Sequence, residues 1–99
     1  MKIYISGKIT GTTDYMERFA VVEARLTEQG HSVINPARVN GCLPPDTTYE
    51  QYMDMSFCML RQAEAIYMMH GWRNSPGACR EFGYAMGTDM IILEEEING

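Results

Sequence analysis

The sequence predicts an α/β protein, a three-layer α/β/α sandwich built on a mainly parallel sheet of four to five strands. One observation is that short apolar runs alternate along the chain with longer segments of helical periodicity, which favours parallel strands joined by crossover helices. Another is that the 99 residues contain no internal repeat, low-complexity segment or linker. Residues 1–99 are therefore predicted to form a single domain.

The first third of the chain predicts two strands and one helix. Residues 2–6, KIYIS, alternate β-branched and aromatic side chains and stop at a glycine, which is typical of a strand. Residues 10–30 are predicted to contain a helix capped by Thr12 or Thr13, since their apolar positions have helical spacing: Phe19, Val22 and Leu26. Residues 31–36, HSVINP, are predicted to form a short second strand that ends at its proline.

The remainder predicts two further helices and two further strands. Residues 37–48 contain a glycine and paired prolines and are expected to form a loop, and residues 48–63 have helical periodicity. Two short apolar runs, 65–69 and 89–94, are predicted strands that suit a sheet covered on both faces, as in Rossmann-like or flavodoxin-like proteins. The acidic tail, residues 95–99, is expected to fray.

Composition and charge exclude several classes of protein. Eight basic residues against thirteen acidic ones give a net charge of −5, and the basic residues are scattered, so polymeric DNA or RNA is not an expected ligand. No apolar run is long enough for a membrane span or a signal peptide, which predicts a cytoplasmic protein with no membrane partner. Three cysteines without CxxC spacing indicate neither disulfides nor a zinc site, and no metal or cofactor is expected. The small size suggests that a homodimer or higher homo-oligomer completes any pocket.

In a parallel α/β sheet, ligands bind at the carboxyl ends of the strands, so the loop after the first strand is a candidate site. The stretch YISGKITG, residues 4–11, offers Gly7 for close backbone approach to an anion, together with the Lys8 ammonium and the Thr10 hydroxyl. It matches neither GxGxxG nor a P-loop. A plain strand-to-helix turn and a ligand-binding loop both remain open.

The stretch NSPGACREFGYAMG provides a second candidate. Ser75 is the predicted N-cap and Pro76 the first residue of a helix that ends at Gly87, and the free N–H groups at such a helix start attract a phosphate. Gly77 and Ala78 leave room for a ligand, and Glu81 lies one turn beyond Gly77 on the same face. The alternatives are an ordinary Ser-Pro cap and a solvated glutamate. Trp72, just before this helix, either stacks on a base or packs at a subunit interface.

Taken together, these residues resemble the nucleoside 2-deoxyribosyltransferase-like superfamily, which includes the 2′-deoxynucleoside 5′-monophosphate N-glycosidases. The chain is most similar to the small phage and bacterial members, whose function is largely unassigned. The similarity covers KIYISGKITG, INP, YMDMSFCMLRQAEAIYMMHGW and SPGACREFGYA, in this order.

The resemblance implies roles for individual residues. Glu81 falls on the nucleophile, which would attack the anomeric carbon, expel the base and form a glycosyl ester that water or a second base resolves. Ser75 falls on the serine that contacts the 5′-phosphate, next to Gly77 and Ala78. The first loop maps to the phosphate and sugar site: Tyr4, Gly7, Lys8, Ile9, Thr10 and Gly11. The implied partner is a small-molecule nucleotide or nucleoside.

Two positions depart from the superfamily: Glu64 stands where an aspartate is usual, and Ser56 is the second. Ser56 stands where an aspartate commonly orients the sugar or assists proton transfer; its hydroxyl can bind a ribose but cannot act as an acid near neutral pH. Asp54 lies on a different side of the same helix and does not replace it. Two functions follow: an N-glycosidase or deoxyribosyltransferase that prefers 5′-monophosphates, or a non-catalytic nucleotide-binding module that senses or sequesters its ligand. A purely structural subunit without a ligand is a third.

Overall fold

The computed structural model describes residues 1–96, which form four strands and four α-helices. The strands are β1 (Lys2–Ser6), β2 (Ser32–Ile34), β3 (Ala65–Met68) and β4 (Ile91–Glu94). The helices are α1 (Tyr15–Glu28), α2 (Pro36–Asn40), α3 (Tyr49–Leu60) and α4 (Pro76–Gly87), with a short 3₁₀ turn at Trp72–Asn74. None of these helices is long and apolar enough to cross a membrane.

The four strands form one parallel sheet in the order β2-β1-β3-β4. Ile3 of β1 is in register with Val33 of β2 on one side and with Ala65 of β3 on the other. The strand order reverses between β1 and β3, which creates a crevice at their carboxyl ends. The predicted α/β fold with a parallel sheet is therefore confirmed.

Alternation along β1 divides the core between the two faces of the sheet. Ile3 and Ile5 are fully buried in one cluster together with the apolar side of α1 (Phe19, Val22 and Leu26). Tyr4 points to the other face, where its cluster includes Leu60 of α3 and residues Ala78 and Ala85 of α4. Period-two alternation thus sends Tyr4 and Ser6 to the face that α4 covers.

Two local predictions in the first half of the chain are wrong. The N-cap of α1 is Asp14 rather than Thr12 or Thr13, because the Thr12 hydroxyl instead donates a hydrogen bond to the Ile9 carbonyl. The predicted loop 37–48 begins inside helix α2, where the Asn35 side chain caps the helix by accepting from the Ala37 N–H and Pro36 occupies the first turn. The glycine and prolines that suggested a loop follow this helix.

Predictions about β4 and the tail also need correction. β4 is an edge strand, so Ile91 is 49% exposed and Ile92 36% exposed, whereas a central strand would be covered. A short apolar run does not distinguish the two situations. In the acidic tail, the Glu95 N–H donates to the Met68 carbonyl and the Glu95 carboxylate accepts from the His70 N–H, so Glu95 does not fray. Residues 97–99 lie outside the described part of the chain.

Candidate active site

A cleft of about 620 Å³ lies at the carboxyl ends of β1 and β3. It is bounded by the loop after β1, by α2 and α3, and by the first turns of α4. Nearly all of the candidate residues line it: Tyr4, Gly7, Lys8, Ile9, Thr10, Ser56, Ser75, Gly77, Ala78 and Glu81. Gly11 does not; it is exposed, with a φ of 81° that makes it the left-handed residue of the turn before α1.

Gly7 allows β1 and the chain after β3 to approach closely. The Met69 N–H donates to the Ser6 carbonyl at 2.8 Å, which extends the β1–β3 pairing into the loop. A Cβ atom on residue 7 would lie 2.9 Å from Met69 Sδ and 3.0 Å from Met69 Cβ, closer than packed atoms tolerate. The glycine is therefore required by packing against Met69, the residue after β3.

Replacing Gly7 with alanine should destabilise the protein by about 1–3 kcal/mol, the usual cost of overpacking a close contact. Urea or thermal unfolding measures this change. The matched control is Gly83→Ala within α4, where a new Cβ meets no atom within 4 Å and helix propensity favours alanine. Equal stability changes in the two variants would contradict the packing explanation.

The first turn of α4 forms one wall of the cleft. Ser75 caps the helix, since its Oγ accepts from the Ala78 N–H at 3.1 Å, and Pro76 is the first helical residue. This N-cap, including its proline, is as predicted. A Cβ on Gly77 would lie 3.2 Å from Met53 Sδ, so the glycine lets α4 and α3 come together at the cleft. The serine that caps α4 therefore also lines the cleft.

Glu81 is buried, with 6% of its surface exposed. Each carboxylate oxygen accepts one hydrogen bond from β1: Oε1 from the Ser6 hydroxyl at 2.6 Å, and Oε2 from the Tyr4 hydroxyl at 2.5 Å. A solvated surface glutamate would have neither burial nor fixed donors, so that alternative is excluded. Glu81 is also the one acidic residue among those that line the cleft within residues 1–96.

The environment of Glu81 sets the protonation of two groups. Burial raises the pKa of the Glu81 carboxyl above its ordinary value, and the hydrogen bonds from Ser6 and then Tyr4 oppose this rise because they stabilise the carboxylate. Burial, reinforced by the negative charge of Glu81, holds the pKa of the Tyr4 phenol well above its usual range. Tyr4 therefore stays protonated and donates a hydrogen bond to the Glu81 carboxylate.

Because Glu81 is buried, Glu81→Gln should stabilise the protein near neutral pH. The expected gain is about 0.5–2 kcal/mol, the size of a typical single stabilising substitution. Because the folded-state pKa is raised, the folded state binds a proton more readily than the unfolded state, and the stability of the native protein falls as pH rises through that pKa. The gain should therefore be small below pH 4.5, the ordinary value, and grow above it. Denaturant unfolding across this range measures it; a gain independent of pH would contradict the argument.

Ser6 is a site residue that the sequence did not single out. The signal was present, because period-two alternation places residues 4 and 6 on the same face of β1. Tyr4 is a candidate site residue, and the same alternation makes Ser6 a candidate too.

The wall opposite α4 comes from α2 and α3. Ser56 is buried, and its Oγ accepts a hydrogen bond from Asn40 Nδ2 at 3.2 Å. Asn40 was not predicted, because it lay in the supposed loop. Aromatic and aliphatic side chains of α1, of α3 and of the segments after β1 and α2 also line the cleft: Ile9, Tyr15, Phe19, Leu43, Tyr52 and Met53.

Two further residues from the sequence lie outside the cleft. Asp54 is exposed on α3, as its helical position implied. Trp72 is 7% exposed and packs on Phe82 with ring centroids 4.6 Å apart, so the indole belongs to the core of this chain rather than to a base-stacking surface. Within residues 1–96, no group of three or more histidine, cysteine or acidic side chains is placed to hold a metal ion.

The parallel sheet with a cleft at the point where its strand order reverses places the protein in the class of doubly wound α/β proteins. The chain belongs to the family described as a domain of unknown function, DUF4406, whose profile matches residues 1–94. Its fold is similar to that of a 2-deoxyribosyltransferase from the psychrotolerant bacterium Bacillus psychrosaccharolyticus, with a TM-score of 0.77 and 16% sequence identity. The similarity covers 99% of this chain and 77% of the other. The predicted nucleoside 2-deoxyribosyltransferase-like fold is thus confirmed. No curated protein matches the sequence.

Proposed function

We propose that this protein cleaves the N-glycosidic bond of a nucleoside 5′-monophosphate, through a glycosyl intermediate on Glu81. The observation that carries the proposal is the buried Glu81 carboxylate, fixed by Tyr4 and Ser6 and lining a cleft beside a helix N-terminus. A buried, oriented carboxylate in a cleft is what nucleophilic catalysis at an anomeric carbon needs. The similar structure from Bacillus psychrosaccharolyticus is described as a biocatalyst for nucleoside synthesis, which supports a nucleoside-type substrate.

The phosphate of the substrate occupies the end of the cleft formed by Lys8 and the first turn of α4. Lys8 contributes a positive charge, and α4 contributes the N-terminal end of its dipole and the Ser75 hydroxyl. Glu81 lies one turn further along α4, so the sugar extends from the phosphate toward its carboxylate. The base then lies against apolar side chains such as Tyr52 and Met53.

The reaction takes place in two displacements. One oxygen of the Glu81 carboxylate bonds to the anomeric carbon, the glycosidic C–N bond breaks, and its electron pair leaves with the base, which takes a proton from water. Tyr4 and Ser6 keep the carboxylate ionised and aligned with the anomeric carbon. Water then attacks the same carbon, the ester bond to Glu81 breaks and its electron pair returns to the carboxylate, which releases the sugar phosphate; the proton that this water loses neutralises the hydroxide left when the base was protonated. A second base can attack in place of water and form a new nucleotide; we favour hydrolysis.

Two further expectations accompany the enzymatic function. The cleft is open at its mouth, and a second copy of the chain in a homodimer or larger homo-oligomer would close it against water. The reaction needs no cofactor, because carboxylate, water and substrate supply every atom and electron. A nucleotide substrate is consistent with a cytoplasmic protein.

The test is chromatographic detection of free base after incubation with a panel of nucleoside monophosphates and the corresponding nucleosides. We expect release from monophosphates, and a preference for them over nucleosides that falls by about 10-fold or more in Lys8→Ala, the scale of one lost charge-assisted hydrogen bond. Arg38→Ala, which removes a cation paired with Glu23 on the surface, is the matched control. Absence of base release from every substrate would refute the enzymatic proposal.

The alternative is a nucleotide-binding module without catalysis. It is favoured by the chemistry of the cleft, where Ser56 provides a hydroxyl and Glu81 is the one acidic residue among the described lining, so no second carboxyl protonates the leaving base. Such assistance contributes about 10²–10⁴-fold in typical enzymes. Calorimetry that finds an intact nucleotide bound equally by the wild type and Glu81→Gln, with no turnover, would select this alternative.

A further inference from the structure

One polar atom of the Asn40 side chain is hydrogen-bonded within the described residues, and the other is not. Its Nδ2 donates to Ser56 Oγ at 3.2 Å, while its Oδ1 is buried and accepts no hydrogen bond from any residue between 1 and 96. Buried polar atoms are nearly always paired, and leaving one unpaired is costly. Asn40 lines the cleft, so the natural donor for Oδ1 is a group that enters the cleft.

The position of Asn40 limits what that group is. Asn40 donates to Ser56, and both residues line the same cleft as Tyr4 and Glu81, where the Tyr4 phenol donates to the Glu81 carboxylate. Asn40 therefore belongs to the part of the cleft where the sugar meets the nucleophile. Near the glycosidic bond, the base edges carry mainly acceptors, such as adenine N3 and pyrimidine O2, whereas the sugar hydroxyls are donors.

We propose that Asn40 Oδ1 accepts a hydrogen bond from a hydroxyl of the substrate's sugar, which makes Asn40 a specificity-determining residue for that hydroxyl. This inference rests on the proposed function only in taking a nucleotide as the ligand; it does not require turnover. A site that hydrogen-bonds a hydroxyl rejects the analogue without it, because the buried acceptor is then left unpaired.

The experiment measures binding by calorimetry in the Glu81→Gln background, where turnover plays no part. The ligands are AMP and its 2′-deoxy and 3′-deoxy analogues, which share base and phosphate. We expect removal of one of the two hydroxyls to weaken binding by about 10-fold, and this difference to disappear when Asn40→Ala is added. Which analogue binds weakly identifies the hydroxyl.

Two variants make the result specific. Asn40→Leu keeps the bulk of the side chain without its acceptor, so it should lose the same discrimination if Asn40→Ala folds poorly. Asn74→Ala removes an amide from the opposite wall of the cleft and should leave the discrimination unchanged.

Several outcomes would overturn the inference. In one, all three ligands bind equally to the parent; in another, the discrimination survives both Asn40 variants. In a third, the Asn40 variants change the preference between AMP and IMP instead, which would assign Oδ1 to the base. Failure of all three ligands to bind would remove this inference together with the nucleotide site. Binding with hydroxyl discrimination but without turnover in the wild type would refute catalysis alone.

Discussion

Glu81→Ala should abolish base release, with kcat lowered by at least about 10⁴-fold, the order observed when a catalytic nucleophile or its essential partner is removed. The reason is that no other acidic side chain lines the cleft in the described part of the chain, so nothing replaces the nucleophile. Discontinuous chromatography of free base from a nucleoside monophosphate measures the loss. The alanine also leaves a space in which a small anion fits.

That space provides a test of the covalent step. Azide added to Glu81→Ala should restore cleavage of the glycosidic bond, because the anion attacks the anomeric carbon in place of the carboxylate and leaves a glycosyl azide. Glu64→Ala is the matched control, since that glutamate is exposed and pairs with the Lys2 N–H at the far end of the sheet. Undiminished base release from Glu81→Ala would refute the nucleophilic role.

Tyr4→Phe should lower kcat/KM by about 10- to 100-fold near neutral pH, the size of a hydrogen bond to a charged group. The phenol donates to Glu81 Oε2 and so holds the pKa of Glu81 below the value that burial alone would give. Loss of this donor raises the pKa of Glu81, and a smaller fraction of the nucleophile is ionised. The acid limb of the pH–rate profile should therefore move to higher pH, and the loss should narrow as pH rises.

The matched control for Tyr4→Phe is Tyr67→Phe. Tyr67 lies on β3, on the face of the sheet that α1 covers, and it does not line the cleft. Its replacement should leave the profile in place. If Tyr4→Phe lowered kcat without moving the acid limb, Tyr4 would act by packing rather than through the charge of Glu81.

The sequence by itself determined the type and order of the main elements. Alternation in KIYIS, helical spacing in α1 and α3, and the Ser75-Pro76 start of α4 are local signals that depend on backbone sterics and on hydrogen bonds between near neighbours. The same signals located two walls of the cleft, because parallel strands bring the loop after β1 and the start of α4 to one edge. Resemblance to a superfamily added the chemistry that local pattern does not contain.

The start of α1, the short helix α2 and the exposure of β4 were predicted incorrectly. Thr12, Thr13 and Asp14 are all competent caps, and the choice depends on where the preceding turn ends. Edge and central strands with short apolar runs look alike until the strand order is known. These errors arise where several local solutions have similar free energies and the packing of distant segments selects one.

Only the tertiary structure decided the character of Glu81. A lone glutamate on a helix is usually solvated, and the residues that change this lie about 75 positions away in the chain, at Tyr4 and Ser6. The Ser56–Asn40 pair likewise joins two helices, one of which the sequence did not predict. Burial and hydrogen bonding between distant residues depend on the folded arrangement, which is why the sequence located the cleft while the structure placed its carboxylate.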